Sequence, residues 1–472
     1  MNENIIEKNV NGRIFTIAVP IIIQQLSHQM QVWVDRAMLG HINPEFFSAV
    51  GNSLVPYFAI TSIIVAICSG TTILIAQSIG AAKASGAAKA GGAAKASGAA
   101  DYSLSRKYAE CSFTGNSIFP LAGFLFFFLG SGWMFKIMGV QSPVLEYATS
   151  YIKITSYNLL ILGIIATCTS ILQGIGLTRI IMITGIITNV LNIFFDWVLI
   201  YGKFGFPAMS IEGAALATLI ANFTALPFFL IYVIKRKKIP FKIKVRNLFK
   251  FNFGLYKNVF KMGIPSGGEY ALWSLGNLFI VSFLNRLDIM AAGIYTLLFS
   301  IKGLSVILYA GFANAGMTLA GQKTGEKEHK QAVNIVFRCL SFALIVCTVV
   351  TIIFCISPKN ILGLFTSDAS LVDFTSPFLL SITLIMFPQA VNIVIGYGIR
   401  GTGDTRWMFY SQIFGTVLVS TLSYILIFTA GLGLWGVIIT FLVDETIRGF
   451  INVLRFLKGR EFFFLKPLER EE

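Results

Sequence analysis

Asp196 stands in the middle of the apolar run NVLNIFFDWVLIYG, with Asn192 one helical turn before it and Asn189 a turn earlier still. A carboxylate in an apolar helix is costly and is retained where something binds it or uses it. Three further residues fit the same chemistry: Asp35 in VDRAMLG, Thr218 in GAALAT, and the Asn192 amide. Two carboxylates that meet cannot easily both be ionised without a cation. The set therefore suits either a proton held between the acids or a hard cation such as Na⁺ bound by carboxylate, amide and hydroxyl oxygens. Other readings compete. Arg36 follows Asp35 and would make an interfacial ion pair, and Asn192 would serve as hydrogen-bonding glue between helices.

The elements that must carry these residues are legible from composition. The 472 residues are 55% hydrophobic and only 12% charged, with 43 Phe, and the mean hydropathy is +0.75. A soluble chain is about a quarter charged. Apolar runs of bilayer-spanning length recur along the chain. They predict an all-α polytopic membrane protein with helices over 14–39, 48–80, 111–140, 145–175, 181–202, 211–234, 255–284, 289–321, 334–362, 370–399, 407–430 and 435–458. The polar start MNENIIEKNVNGR does not read as a cleavable signal. The net charge of +15 sits in alternate loops, ten Lys and Arg in KRKKIPFKIKVRNLFKFNFGLYKNVFK alone. This positive-inside pattern predicts cytoplasmic termini in a plasma (inner) membrane, with no nucleic-acid partner.

The chain repeats itself. IAVPIIIQQL and KMGIPSGGEY align at an offset of 245, and QGIGLTR and GIRGTGDTR at 227. The difference is close to the length of AAKASGAAKAGGAAKASGAA (81–100), which reads as an inserted linker of engineered type or as a natural flexible loop, and is set aside. Two parallel six-helix bundles follow, 1–234 and 255–472, joined by a basic linker over 235–254 and facing a central cleft. At these offsets Asp196 pairs with Ser423, Asn192 with Val419, Thr218 with Phe441 and Asp35 with Ile280. The scaffold is duplicated and the polar cluster is not. Counted inward from Gly40, Gly202 and Gly213, Asp35, Asp196 and Thr218 share one depth, roughly 7–9 Å from the outer helix ends.

Other residues carry weaker signals. Glu269 lies near the inner end of the seventh helix, with Lys302 as its candidate partner; it reads equally as cleft-lining or as half of a structural ion pair. Asp444, Glu445 and Arg448 read as a self-neutralising cluster. Pro20, fifteen residues before Asp35, is a candidate hinge or a plain kink. The six cysteines read as small membrane-buried residues, and His28, His41 and His329 are too scattered for a metal site. No P-loop or hydrolase serine motif is present.

Taken in order, IAVPIIIQQ…VDRAMLG, QGIGLTR, NVLNIFFDWVLIYG, GAALAT and GIRGTGDTR resemble the multidrug and toxic compound extrusion (MATE) family over the whole chain except the insertion. The resemblance implies twelve helices in two bundles and export of amphipathic, often cationic, small molecules in exchange for Na⁺ or H⁺, without another cofactor. It also implies an N-lobe cation site at Asp35, Asn192, Asp196 and Thr218. The helix-7 Glu and helix-10 acid of NorM-like members are replaced here by Trp273 and Gln389, which favours coupling through the N-terminal half. Gln24, His28, Trp33, Tyr157, Asn158, Glu269, Lys302 and Gln389 are the candidate cleft residues, in a monomer surrounded by membrane lipid. A lipid-linked precursor flippase is the alternative; its phosphate-bearing cargo would call on Lys302 or Lys153. No constellation for an enzyme stands out.

Overall fold

A computed structural model describes residues 2–90, 101–235, 238–248, 251–287, 289–364 and 368–458. Twelve long helices answer the twelve predicted spans: α1 (Asn2–Gly40), α2 (Pro44–Ala90), α3 (Ser103–Ile137), α4 (Val144–Ile175), α5 (Thr178–Tyr201), α6 (Ser210–Lys235), α7 (Phe253–Leu287), α8 (Ile289–Gly325), α9 (His329–Ile356), α10 (Ala369–Gly401), α11 (Thr405–Thr429) and α12 (Leu434–Lys458). Among the described residues, nine are long and apolar enough to cross a membrane by length and composition. The chain is an all-helical integral membrane protein.

Several boundaries differ from expectation: α1 begins at Asn2 rather than 14 and α3 at Ser103 rather than 111, and two further differences have a local cause. The second helix continues to Ala90, ten residues into the Ala/Lys run that was set aside, because Ala sustains a helix at little cost even with Gly86 inside it. Residues 91–100 lie outside the described residues. The ninth helix stops at Ile356 rather than 362, since Pro358 disfavours helical geometry in Ser357, which sits at φ −138°, ψ 51°. A separate short helix, Pro358–Gly363, follows.

The chain divides into two compact units, Ile23–Tyr270 and Met1–Ile22 with Ala271–Glu472. The division falls inside α1 and α7, shortly after Pro20 and Pro265, rather than at the linker. Within the first unit α2 packs on α4, α3 on α4, α4 on α6 and α5 on α6. The second unit repeats these pairings as α8–α10, α9–α10, α10–α12 and α11–α12. The early part of α1 belongs to the second unit: Phe15 meets the Phe312 and Phe342 rings at 5.7 and 4.7 Å, and Arg13 Nη2 donates to Gln322 Oε1 at 2.8 Å. The early part of α7 belongs to the first unit, where Tyr256 donates to Asn116 Oδ1 at 3.2 Å.

The basic linker is tied down. Ile239, Phe241 and Ile243 are buried in the core of the first unit, and Lys238, Lys242 and Lys244 between them are exposed. Glu110 accepts from the Lys244 backbone N–H at 2.8 Å and from Asn247 Nδ2 at 2.9 Å, fastening the strap to α3.

Close helix approach rests on glycine. A Cβ on Gly263 of α7 would collide with the Ile67 carbonyl of α2, and one on Gly70 with the Val259 carbonyl. Contacts of this kind replace the hydrophobic effect as the force between helices in lipid. Gly263→Leu is therefore expected to cost about 1–3 kcal/mol or to prevent folding. Gly130→Leu, which faces open space, is expected to leave the thermal-unfolding midpoint unchanged. A scan of the two purified variants checks this.

Candidate functional site

α1 and α5 are joined along a polar seam. Going outward, Gln24 fills the space left by Gly185, where a Cβ would stand 2.8 Å from Gln24 Cγ. One turn further, Asn189 Nδ2 donates to Ser27 Oγ at 2.8 Å. Gln31 then lies 2.6 Å from the Asn192 amide and donates to Asp35 Oδ2 at 2.9 Å. Last, Asp35 and Asp196 both reach the Asn192 amide, Oδ1 of the first at 3.1 Å and Oδ2 of the second at 3.2 Å. Residues 24, 27, 31 and 35 face 185, 189, 192 and 196 at the three- and four-residue steps that keep one face of each helix together, over about 16 Å.

The third wall is α6. Its small residues Gly213, Ala214 and Ala217 are buried, and a Cβ on Gly213 would lie 2.8 Å from the Leu199 carbonyl carbon. This close approach brings Thr218 to 3.2 Å from the Asn192 amide. Asp196 and Asn192 are 0 and 1% exposed, whereas Asp35 and Thr218 are half-buried. Asp35, Asn192, Asp196 and Thr218 thus meet as expected from their shared depth.

The Asn192 amide turns its NH₂ to the acids, donating to Asp35 Oδ1 at 3.1 Å and Asp196 Oδ2 at 3.2 Å, and its carbonyl accepts from Thr218. That arrangement serves ionised carboxylates. Thr218 Oγ1 also donates to the Ala214 carbonyl at 3.1 Å. Two carboxylates that reach one amide nitrogen favour a proton or a cation between them. Asp196 Oδ1 is buried with no hydrogen-bond partner among the described residues, which leaves one hard oxygen available. No cluster of three or more His, Cys, Asp or Glu occurs among the described residues, so the donor set suits a monovalent ion or a proton rather than a transition metal.

Gln31 belongs to this site and was missed from sequence, although it stands one helical turn before Asp35. The other candidate residues are dispersed. Pro20 is buried inside α1. His28 and Trp33 are exposed on the same helix. Tyr157 packs on Phe124 and Phe128 of α3 at 5.1 and 5.8 Å. Asn158 accepts from Asn222 at 3.1 Å. Glu269 is buried in the first unit and Lys302 in the second. In its own unit Lys302 meets no carboxylate at ion-pair distance; its ammonium lies over the Phe299 and Phe441 rings at 5.3 and 4.7 Å. Gln389 joins a network in that unit, accepting from Tyr309 at 2.8 Å and donating to Glu445 at 2.9 Å. Of the six cysteines, Cys355 is exposed on its unit and the other five are buried.

Twelve apolar helices in two copies of one packing scheme, with a buried acid–amide–hydroxyl cluster in one copy only, define a polytopic membrane protein built by duplication. A family model described as MatE matches residues 84–198 and 265–425, more than half of the chain. The chain belongs to the MatE family of transporters. It is 25% identical over 444 residues to the uncharacterized transporter YisQ of Bacillus subtilis, covering 94% of this chain and 93% of that one. It is 25% identical over 455 residues to the probable multidrug resistance protein NorM of Thermotoga maritima, covering 96 and 93%. A solved structure described as the outward-facing conformation of a multidrug resistance MATE family transporter superposes with a TM-score of 0.85, at 19% identity over 94% of this chain and 95% of that one, and so shares its fold.

Replacing Gln31 by Leu removes the donor to Asp35 Oδ2. A hydrogen bond to a charged group is worth about 1.5–3 kcal/mol. Because that bond favours the ionised carboxylate, its loss is expected to tighten proton binding at the pair about 10- to 100-fold with the fold retained, measured by pH titration of intrinsic fluorescence.

Proposed function

We propose that the chain is a cation-coupled antiporter that exports amphipathic, mostly cationic, small molecules by alternating access. The observation that carries this reading is the Asp35–Asn192–Asp196–Thr218 cluster, present in one copy of a duplicated scaffold. A purely structural polar contact would have had the same use in both copies. The names of the NorM relatives and the outward-facing neighbour agree with it.

The coupling ion, Na⁺ or H⁺, enters from the outer side and is held between Asp35 and Asp196. Its arrival neutralises the repulsion between the two acids and alters how α1 meets α5 along the seam. The part of α1 that carries Asp35 begins just past Pro20, and this proline removes a backbone hydrogen bond where the helix must bend. Bending of α1 at Pro20 then links ion occupancy to release of cargo. A ligand shifts a conformational equilibrium only through different contacts in the two states, and an ion held jointly by Asp35 of α1 and Asp196 of α5 supplies such a difference. The flippase alternative is weaker. Lys302 rests on Phe441, one helical turn before Asp444 and Glu445 on α12, acids that would repel a phosphate, and Lys153 is exposed.

Efflux of a fluorescent cationic dye from proteoliposomes, driven in turn by a Na⁺ gradient and a pH gradient, tests the reading. One of the gradients is expected to move dye. Asp35→Asn and Asp196→Asn are expected to abolish that movement while the protein stays folded. Normal transport by both variants would sink the proposal.

A further inference from the structure

The C-terminal unit has its own buried charged cluster, unrelated by the repeat to the Asp35–Asp196 pair. On α12, Arg448 donates to both oxygens of Asp444, at 2.9 and 2.6 Å, and to Gln412 Oε1 at 2.9 Å. Glu445, one residue along, accepts from Gln389 at 2.9 Å and Asn392 at 2.7 Å, with Arg448 Nη2 at 3.8 Å. Lys302 completes the cluster from α8. The charges balance: two carboxylates, one guanidinium and one ammonium.

Lys302 is bound differently from the rest. Its side chain is more than nine-tenths buried, yet among the described residues its ammonium has no hydrogen-bond acceptor and no ion-pair partner. It rests instead on the faces of Phe299 and Phe441, next to Tyr295, whose ring stacks parallel to Phe441 at 6.4 Å. Phe441 lies one helical turn before Asp444 and Glu445 on α12, which carries Arg448 a turn further on; α10 contributes the amides of Gln389 and Asn392 around Glu445. An aromatic face beside a carboxylate is the environment that binds organic cations lacking hydrogen-bond donors.

We propose that this cluster is a second exchange site, at which a lipophilic monocation replaces the proton of Lys302 on the Phe299–Phe441 faces. The proposal rests on the antiport reading for its class of cargo. The step balances in charge and atoms: the ammonium gives one H⁺ to water and becomes a neutral amine as one organic cation enters, so the cluster stays neutral. Cargo and proton exclude one another because both would otherwise add a positive charge beside Arg448. The Lys302 ammonium thus acts as a tethered stand-in for the cargo.

The test is tetraphenylphosphonium binding to the purified full-length protein in a weakly buffered solution, with released protons read by a pH indicator. The wild type is expected to release about one proton per cation bound and to bind about tenfold more tightly for each unit rise in pH while Lys302 is protonated. Lys302→Gln is expected to bind without that release and without the pH slope. Lys302→Arg, a fixed charge of similar length, is expected to bind at least about tenfold more weakly. Phe441→Leu should weaken binding and leave the proton count unchanged. If Lys302→Gln does not fold, the arginine variant carries the test. Wild-type affinity in Lys302→Arg, undiminished proton release in Lys302→Gln, or a wild type that binds no tetraphenylphosphonium or releases no proton would each overturn the proposal. Release lost in Asp35→Asn/Asp196→Asn but kept in Lys302→Gln would assign the exchanged proton to the outer pair, leaving the antiport reading standing and removing this one.

Discussion

Two carboxyl groups held against each other inside apolar helices set the terms for the N-terminal unit. Asp196 is fully buried and shares the Asn192 amide with Asp35, and like charges that close do not easily both persist without a counter-charge. The surrounding packing follows from this demand. Gly213 lets α6 close on α5 so that Thr218 reaches the Asn192 amide. Gly185 makes room for Gln24, and Gln31 fixes one oxygen of Asp35. Small residues at these places are what allow a polar seam to exist between helices that otherwise face lipid-like surroundings.

The two copies of the scaffold solve the problem of buried acids in opposite ways. In the second unit Asp444 and Glu445 are answered by Arg448 and by amides, so the acids have fixed partners. In the first unit the acids share amides, Asn192 between them and Gln31 on Asp35, and no described residue is a cationic ion-pair partner to either. Ser423, the repeat-equivalent of Asp196, is buried with its hydroxyl unpartnered among the described residues. The helix pairings survive duplication because they depend on shape, whereas the charges diverged because nothing in the packing requires them.

Sequence alone revealed what depends on periodicity and depth. Asp35, Asn192, Asp196 and Thr218 could be placed at one level because helix ends are marked by glycine, and Gly202, at φ +67°, does end α5 in the left-handed conformation. Gln31 was equally visible, one turn from Asp35, but a glutamine in a helix already rich in amides gave no reason to single it out. The linker shows the same limit. Its lysines were read as topology signals, and the alternation of Ile239, Phe241 and Ile243 that straps it to the core lay between them. Lys302 was matched to Glu269 on adjacency of helices in the chain. Within its own unit it rests on Phe299 of α8 and Phe441 of α12, and α12, far along the chain, reaches α8 only through tertiary packing. The break at Ser357–Pro358 was legible in principle, since proline constrains the residue before it, but the apolar run continued across it.

The division of α1 and α7 gives the chemistry its leverage. Each helix contributes its early part to one unit and its later part to the other, and each carries a proline shortly before the change. The geometry is therefore duplicated, but the load is not. In α1 the segment past the proline bears Asp35 and the whole polar seam; in α7 the equivalent position of Asp35 is the apolar, fully buried Ile280. Equal groups in a symmetric scaffold would act on both helices alike and distinguish nothing between them. With Asp35 and Asp196 confined to one copy, any difference in contacts that their charge makes falls on α1 and not on α7, and only such a difference between states can shift a conformational equilibrium.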